Sequence, residues 1–321
     1  MDARVRQAAD IMARFAARTG LTAGGPARRY LWTDAFAVTN LLGLSQVTGE
    51  SESGELALRL IDQVHHVLGR HRPDDARTGW LSGLDEAEGG AHPTRGGLRI
   101  GKPLPERPAG TPLDERREWD RDGPLVASMG QHDPVDGLVT CWQLAATARA
   151  TGVAEPGLTA MAHDFASMVD RRGLATMDPL GLGGLLADAW RTDQLLRQGG
   201  LGDDEGLVGD LLRAAAAGLD AYARSPELRQ RAVHRLAFRE LGLAIGLAAV
   251  SSMHAAVRGE PHRALLERLA QFVPLRPAIE AFWLDPAHQG AESWTGHQDI
   301  NDVMLATSLV PDGFLRLASP R

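Results

Sequence analysis

Cysteine, lysine and aromatic residues are all scarce in this sequence. Its single cysteine, Cys141, permits neither an internal disulfide framework nor a multi-thiolate zinc site, which points to a reducing compartment, with cytoplasm as the default. Cys141 also lies in an apolar helical stretch beside Trp142, the setting of an inert buried thiol. Lys102 is the only lysine, and acids and arginines are interspersed at a net charge of -7, so no basic stripe for nucleic acid exists. Long hydrophobic runs are missing too. The longest, Leu241 to Val250, stops at Ser251 and Ser252, too short for a membrane span and suited to a buried helix. The segment Met1 to Gly20 spreads arginines through an amphipathic pattern without a secretory apolar stretch, and reads as a first helix.

Cofactor motifs are equally absent. There is no Walker loop, dinucleotide glycine fingerprint or nucleophile elbow, and Gly181-Leu182-Gly183-Gly184 follows no strand, so ATP and NAD are disfavoured and no cofactor is expected. No metal site is expected either. His65 and His66 are neighbours that point in different directions on a helix, unlike a zinc pair at i and i+4. Asp74-Asp75 and Asp203-Asp204-Glu205 lack the spacing of a diphosphate-magnesium motif.

What is present is helical periodicity, with no alternating strand followed by a hairpin turn, and the fold class is all-α. Helices are expected over Ala3–Arg18, Thr33–Gln46, Ser53–Gly69, Pro134–Ala150, Pro156–Arg171, Gly184–Gln198, Asp203–Arg224, Pro226–Val257, Pro261–Phe272 and Asp299–Leu309. Thr33 or Asp34 can cap one helix, Pro134 and Pro156 suit first turns, and Gly152, Gly173 and Gly199 follow helix ends. Asp203–Arg224 has one polar face, whereas Leu236–Val250 is apolar nearly all round and reads as an inner helix. Gly242 and Gly246 would let a neighbouring backbone approach closely. Alternating outer and inner helices with short connections predict a toroid of helical hairpins in one domain, residues 1–321, with a stacked solenoid as the alternative. An irregular insert of about residues 73–133, rich in Pro, Gly and charge, carries Trp80 and Trp119; embedded tryptophans favour an ordered lid over a flexible insertion.

Three segments gather chemistry at helix starts. In the first, Arg29-Tyr30-Leu31-Trp32-Thr33-Asp34, an acid and two aromatics can wall a polar ring-shaped ligand, or Asp34 can cap while Tyr30 and Trp32 pack as a staple. In the second, Trp119, Asp120 and Asp122 are followed by His132, Asp133 and Asp136; close carboxylates in a cleft push their pKa values apart and supply an acid and a base. There the bland alternative is an N-cap at Asp133 and a surface ion pair of Asp120 with Arg121. In the third, Glu292-Ser293-Trp294-Thr295-Gly296-His297-Gln298-Asp299, the last acid and His297 can bind a metal or form an acid/base pair and Trp294 can stack on a sugar or another flat apolar face, or the segment is a capped helix with a solvated histidine.

With these segments in hand, the chain resembles the six-hairpin glycosidase-like superfamily, diffusely and over most of its length. The resemblance implies an (α/α)6 toroid that binds carbohydrate in a central cleft, with Asp34, Asp133 and Asp299 as cleft acids and Trp32, Trp119 and Trp294 as stacking surfaces. Tyr30, Asp120, Asp122, Asp136 and Glu292 would complete the substrate contacts. An aromatic content of 5% suits a small substrate better than a long polymer. The leading expectation is acid/base hydrolysis of a small glycoside or related polyhydroxylated molecule, with no nucleic-acid or membrane partner. Beside it stand sugar epimerisation with His132 and His297 as paired bases, cyclase or lyase chemistry in the same cleft, and a noncatalytic ligand-binding toroid.

Overall fold

A computed structural model describes residues 2–102, 174–197, 205–256 and 262–316. Among these residues the chain is mostly helical and has no strand, only an isolated antiparallel bridge between Arg70 and Trp80, so the all-α class holds. The expected helices Pro134–Ala150 and Pro156–Arg171 lie outside the described residues. The chain divides into two compact units, Met1–Asp133 and Pro134–Arg321.

In the first unit, α1 (Ala3–Arg18) starts where Asp2 accepts the Arg4 N–H and buries Val5, Ala8, Ile11, Met12 and Phe15 at helical spacing. Helix α2 (Leu31–Thr48) begins two residues before the expected Thr33 and ends at Gly49, whose φ of 75° only glycine adopts cheaply. Helix α3 (Ser51–Leu68) packs along α2. The chain then folds back over the end of α3. The Arg99 guanidinium donates to the carbonyls of Val67 (3.0 Å) and Arg70 (2.6 Å), and its backbone N–H to Leu68 (2.8 Å), which satisfies acceptors that a helix terminus leaves open.

Trp80 is 3% exposed, with the Arg70 guanidinium 4.0 Å above its ring and His66 edge-on at 5.7 Å. A short helix α4 (Glu86–Ala91), not expected from the sequence and capped by Asp85, brings Gly89 against the same indole. Residues 73–102 of the expected insert are therefore ordered around a buried tryptophan, and residues 103–133 lie outside the described residues.

Three ion pairs pin this segment: Arg70–Glu86, Arg72–Asp74 and Arg77–Asp75. In each, the arginine's hydrogen bonds are the main cause that holds the carboxyl below its usual range. Because the folded state binds these protons less well than the unfolded one, their contribution is present above the ordinary carboxylate pKa of about 4 and is lost as pH falls below it. Asp74 and Glu86 are exposed and Asp75 is half-buried, so the effect is local. Amide exchange in residues 70–86 is expected to accelerate below about pH 4, and at 1 M salt, relative to α1; equal protection in both segments under both conditions would contradict this.

The second unit has two layers. Helices α5 (Pro179–Arg197), α7 (Ala237–Ala256) and α12 (Gln298–Leu309) form the inner one. Helix α6 (Glu205–Tyr222) and the pair α8 (Arg263–Ala270) and α9 (Leu275–Leu284) form the outer one. Cross-contacts fix the directions. Asp178 pairs with Arg239, and Leu180 and Gly183 lie against Gly242 and Gly246, so α5 and α7 advance together and are parallel. Ser293 bonds the Ala232 carbonyl, the Phe238 N–H donates to Asn301, and Met304 reaches Gly242, so α7 and α12 are parallel too.

Hydrogen-bonded partners at or just before the starts of these helices thus stand 61 to 63 residues apart in sequence. The outer helices run the other way. Leu182 meets Gly218 of α6, and α9 passes from the Ser308 carbonyl, bonded by Arg276, to Glu240, bonded by Trp283.

Helix α7 is buried from Glu240 to Val250, as its all-round apolar sequence predicts. The crossing of α5 and α7 is backbone to backbone: a Cβ added at Gly183 or Gly246 would lie less than 3.0 Å from main-chain atoms of the other helix.

The expected helix Pro226–Val257 is a correction. Residues 227–229 and 232–234 are single 3-10 turns, and Arg235 is extended at φ -117° and ψ 148°. The cause is the buried Arg235 side chain, which turns back to form two bonds with Glu240 at 2.8 and 2.6 Å and stacks 3.7 Å over Phe282. Helix α9 and the short helices α10 (Pro286–Gln289), α11 (Glu292–Thr295) and α13 (Asp312–Leu315) were not expected from periodicity.

Candidate functional site

The first segment, at the start of α2, is built for stability. Asp34 is 2% exposed; one carboxylate oxygen accepts from the Arg29 guanidinium at 3.1 Å and the other from the Tyr30 N–H at 3.0 Å. Arg29 also donates to the Thr19 carbonyl at 2.6 Å, which ties the α1–α2 connection to the helix start. The capping alternative for Asp34 thus has a geometry: the acid reaches back to the residue before the helix, as in a capping box shifted by one position. Tyr30 is half-buried and Trp32 is exposed at 43%. Replacing Asp34 by asparagine keeps one acceptor for Tyr30 but leaves Arg29 charged and buried. The expected loss, read from chemical denaturation, is about 2 kcal/mol, and an unchanged midpoint would show that the pair is not structural.

Trp119, Asp120, Asp122, His132, Asp133 and Asp136 of the second segment lie outside the described residues.

In the second unit, the third segment stands at the N-terminal edge of the inner layer. Because α5, α7 and α12 are parallel, their first turns point the same way, with N–H groups that have no intrahelical acceptor. Asp178 takes up two of these at α5, accepting from Leu180 at 2.8 Å and Gly181 at 3.5 Å, and also pairs with Arg239. The Arg239 guanidinium lies 5.8 Å from the Phe238 ring, and Phe238 meets His297 edge to face at 5.6 Å. His297 is exposed at the first residue before α12, and Asp299 is half-buried in that helix's first turn. A continuous row runs Asp178, Arg239, Phe238, His297, with Asp299 following and Glu292 exposed nearby in sequence.

Trp294 requires a correction. It is 2% exposed and packs against Trp283, centroids 5.7 Å apart, so it is a core residue and offers no face to a sugar. Beneath it, Asn301 is wholly buried; its amide donates to the Trp294 carbonyl at 2.9 Å and its oxygen accepts from Phe238 at 2.9 Å. That bracket fixes the position of the edge, since one side chain bonds both the α11 turn and the start of α7.

Reading the sequence missed Asp178, Arg239 and Phe238. Asp178 before Pro179 carries the same N-cap signal as Asp133 before Pro134 and could have been found. Arg239 and Phe238 carry no local signal, because only the register between helices brings them beside Asp178 and His297.

Among the described residues, no group of three or more His, Cys, Asp or Glu side chains is placed to hold a metal ion, and no helix is long and apolar enough to cross a membrane. No protein-family model, curated protein or solved structure matches the chain.

Proposed function

We propose that this protein is a carbohydrate-active enzyme of α/α-toroid type that hydrolyses a small glycoside or a related polyhydroxylated substrate by acid/base catalysis. The observation that carries the reading is the shared edge formed by three parallel inner helices. It gathers a carboxylate that spans two helices, a cation, a flat aromatic, and His297 and Asp299 at the start of α12. Inner helices parallel to each other and outer helices antiparallel to them are the succession that a ring of hairpins needs, and the resemblance to six-hairpin glycosidases supplies the chemistry.

Hydroxyl groups both donate and accept, so helix N–H groups and carboxylates at one edge suit a polyol better than an apolar ligand. In this reading Asp299 is the carboxylate that protonates the leaving oxygen or activates water, and Glu292, His297 and Arg239 orient the substrate.

The test is turnover of a panel of aryl glycosides by the full chain. Asp299→Asn is expected to reduce turnover about 100-fold with the helical circular dichroism spectrum unchanged. Activity at the parent level in Asp299→Asn would eliminate the proposal. One observation favours a second reading, a noncatalytic ligand-binding toroid: Asp34, one of the three expected cleft acids, has its carboxylate engaged by Arg29 and Tyr30. Ligand retention by the parent chain with no turnover in the same panel would select it.

A further inference from the structure

Phe238 stands in the first turn of α7, where a backbone N–H has no acceptor within its own helix. The next two N–H groups, of Arg239 and Glu240, both turn to the Leu236 carbonyl, at 3.1 and 3.3 Å. Phe238 instead donates to the side chain of Asn301 at 2.9 Å, 63 residues later in α12. Asn301 is 0% exposed, and its amide donates to the carbonyls of Trp294 at 2.9 Å and Ser293 at 3.4 Å.

An asparagine side chain carries one carbonyl oxygen and two N–H donors, and here all three have a backbone partner. The same inventory rules out the close substitutes. Aspartate would turn lone pairs toward two carbonyls and bury a charge, and leucine would leave the Phe238 N–H without its acceptor. Serine is too short to span the three bonds, and glutamine adds a methylene at a wholly buried position.

What the three bonds hold is a pair of rings. His297 precedes Asn301 by one turn, and its carbonyl accepts the Asn301 backbone N–H at 3.0 Å, so both belong to one helix start. Across from them the Phe238 ring meets the His297 ring edge to face, at 5.6 Å and 67°. A second tie, from the Ser293 hydroxyl to the Ala232 carbonyl at 2.7 Å, joins the same two stretches of chain. His297 is exposed, and an exposed side chain changes rotamer within nanoseconds unless a neighbour blocks the way; the half-buried Phe238 ring is such a neighbour.

We infer that Asn301 is a positioning residue for His297. By bonding the Phe238 backbone from within α12, it sets the Phe238 ring against the imidazole and limits the directions in which His297 faces the helix edge. Asn301 itself is buried and touches no substrate. Its part in a reaction rests on the proposed function, whereas the ring geometry can be read without substrate.

The test is NMR of the histidine rings in the full chain, with the His297 signal assigned by its loss in His297→Gln. In the parent, nuclear Overhauser contacts should join the Phe238 and His297 rings. Phe238→Leu gives the His297 signal without its neighbour. Asn301→Ser is expected to move the parent signal more than half-way to that position while the other histidine signals stay in place. Asn301→Thr, which keeps more of the volume, replaces it if the serine variant does not fold. The inference is overturned if the parent shows no contact between the two rings, or if the His297 signal of the folded variant stays at the parent position. It is also overturned if all histidine signals move together in both variants, which would mark Asn301 as a support of the whole fold. On a glycoside that the parent hydrolyses, Asn301→Ser and Phe238→Leu should each lose about tenfold in kcat/KM. Full activity in Asn301→Ser with a displaced His297 signal would overturn its part in the reaction. A parent that hydrolyses nothing, with the ring contact and the displaced variant signal both observed, refutes the proposed hydrolysis and leaves the ring geometry standing.

Discussion

Glu240→Ala is expected to cost the second unit about 4 kcal/mol, the largest loss from any single exchange considered in this protein. Glu240 is 3% exposed, and both of its oxygens are used: one by Arg235 Nε at 2.8 Å, the other by Arg235 at 2.6 Å and by Trp283 Nε1 at 2.8 Å. Alanine would leave the 5%-exposed Arg235 charged, desolvated and stacked on Phe282 with no counter-ion, and Trp283 with a buried N–H and no acceptor. Removing one partner is the costly change; the pair itself need not be worth much over an apolar substitute. Accordingly Arg235→Met with Glu240→Leu should be far less damaging than either single exchange, and urea midpoints of the singles and the double would show it. Additive losses would mean that the two groups do not act as a unit.

Gly246→Val is expected to cost about 3 kcal/mol or more by overpacking. The added atoms would meet the Gly183 carbonyl and Cα in α5 at less than 3.0 Å, and backbone cannot rotate away as a side chain can. Relief requires separating α5 from α7, the most extensive helix contact among the described residues, and the rows of contacts along both helices would open with it. Gly184→Ala, one position past the crossing, is the control: its Cβ meets nothing within 4 Å, so the helix gains about 0.5–1 kcal/mol from lower backbone entropy. Differential scanning calorimetry should give shifts of opposite sign. Equal shifts for the two would refute a backbone-to-backbone crossing.

Helix α1 was legible at both ends, because Asp2 supplies a cap and apolar residues recur at helical spacing without interruption. The inner character of α7 was equally legible, since a segment apolar all round has no polar face to give to water. Its start was not: helical propensity continues through Leu228 to His234, and the chain departs from it where Arg235 bonds Glu240 and both are held by α9, Arg235 over Phe282 and Glu240 by Trp283. Trp294 shows the same limit in the site. An aromatic in a polar segment signals a ligand face or a core anchor with equal force, and only Trp283, 11 residues earlier but on another helix, decides for the core.

Composition and periodicity alone determined the all-α class, the inner character of α7, and the close approach at Gly242 and Gly246, because each follows from how one segment meets water or glycine's missing side chain. The tertiary structure alone decided that neighbouring inner helices are parallel at a spacing of 61 to 63 residues, that Asp178, Arg239, Phe238 and His297 share an edge, and that Asp34 answers Arg29. Periodicity states which side of a helix is buried; the partner that buries it is set by packing between segments far apart in the chain, where no local pattern records it.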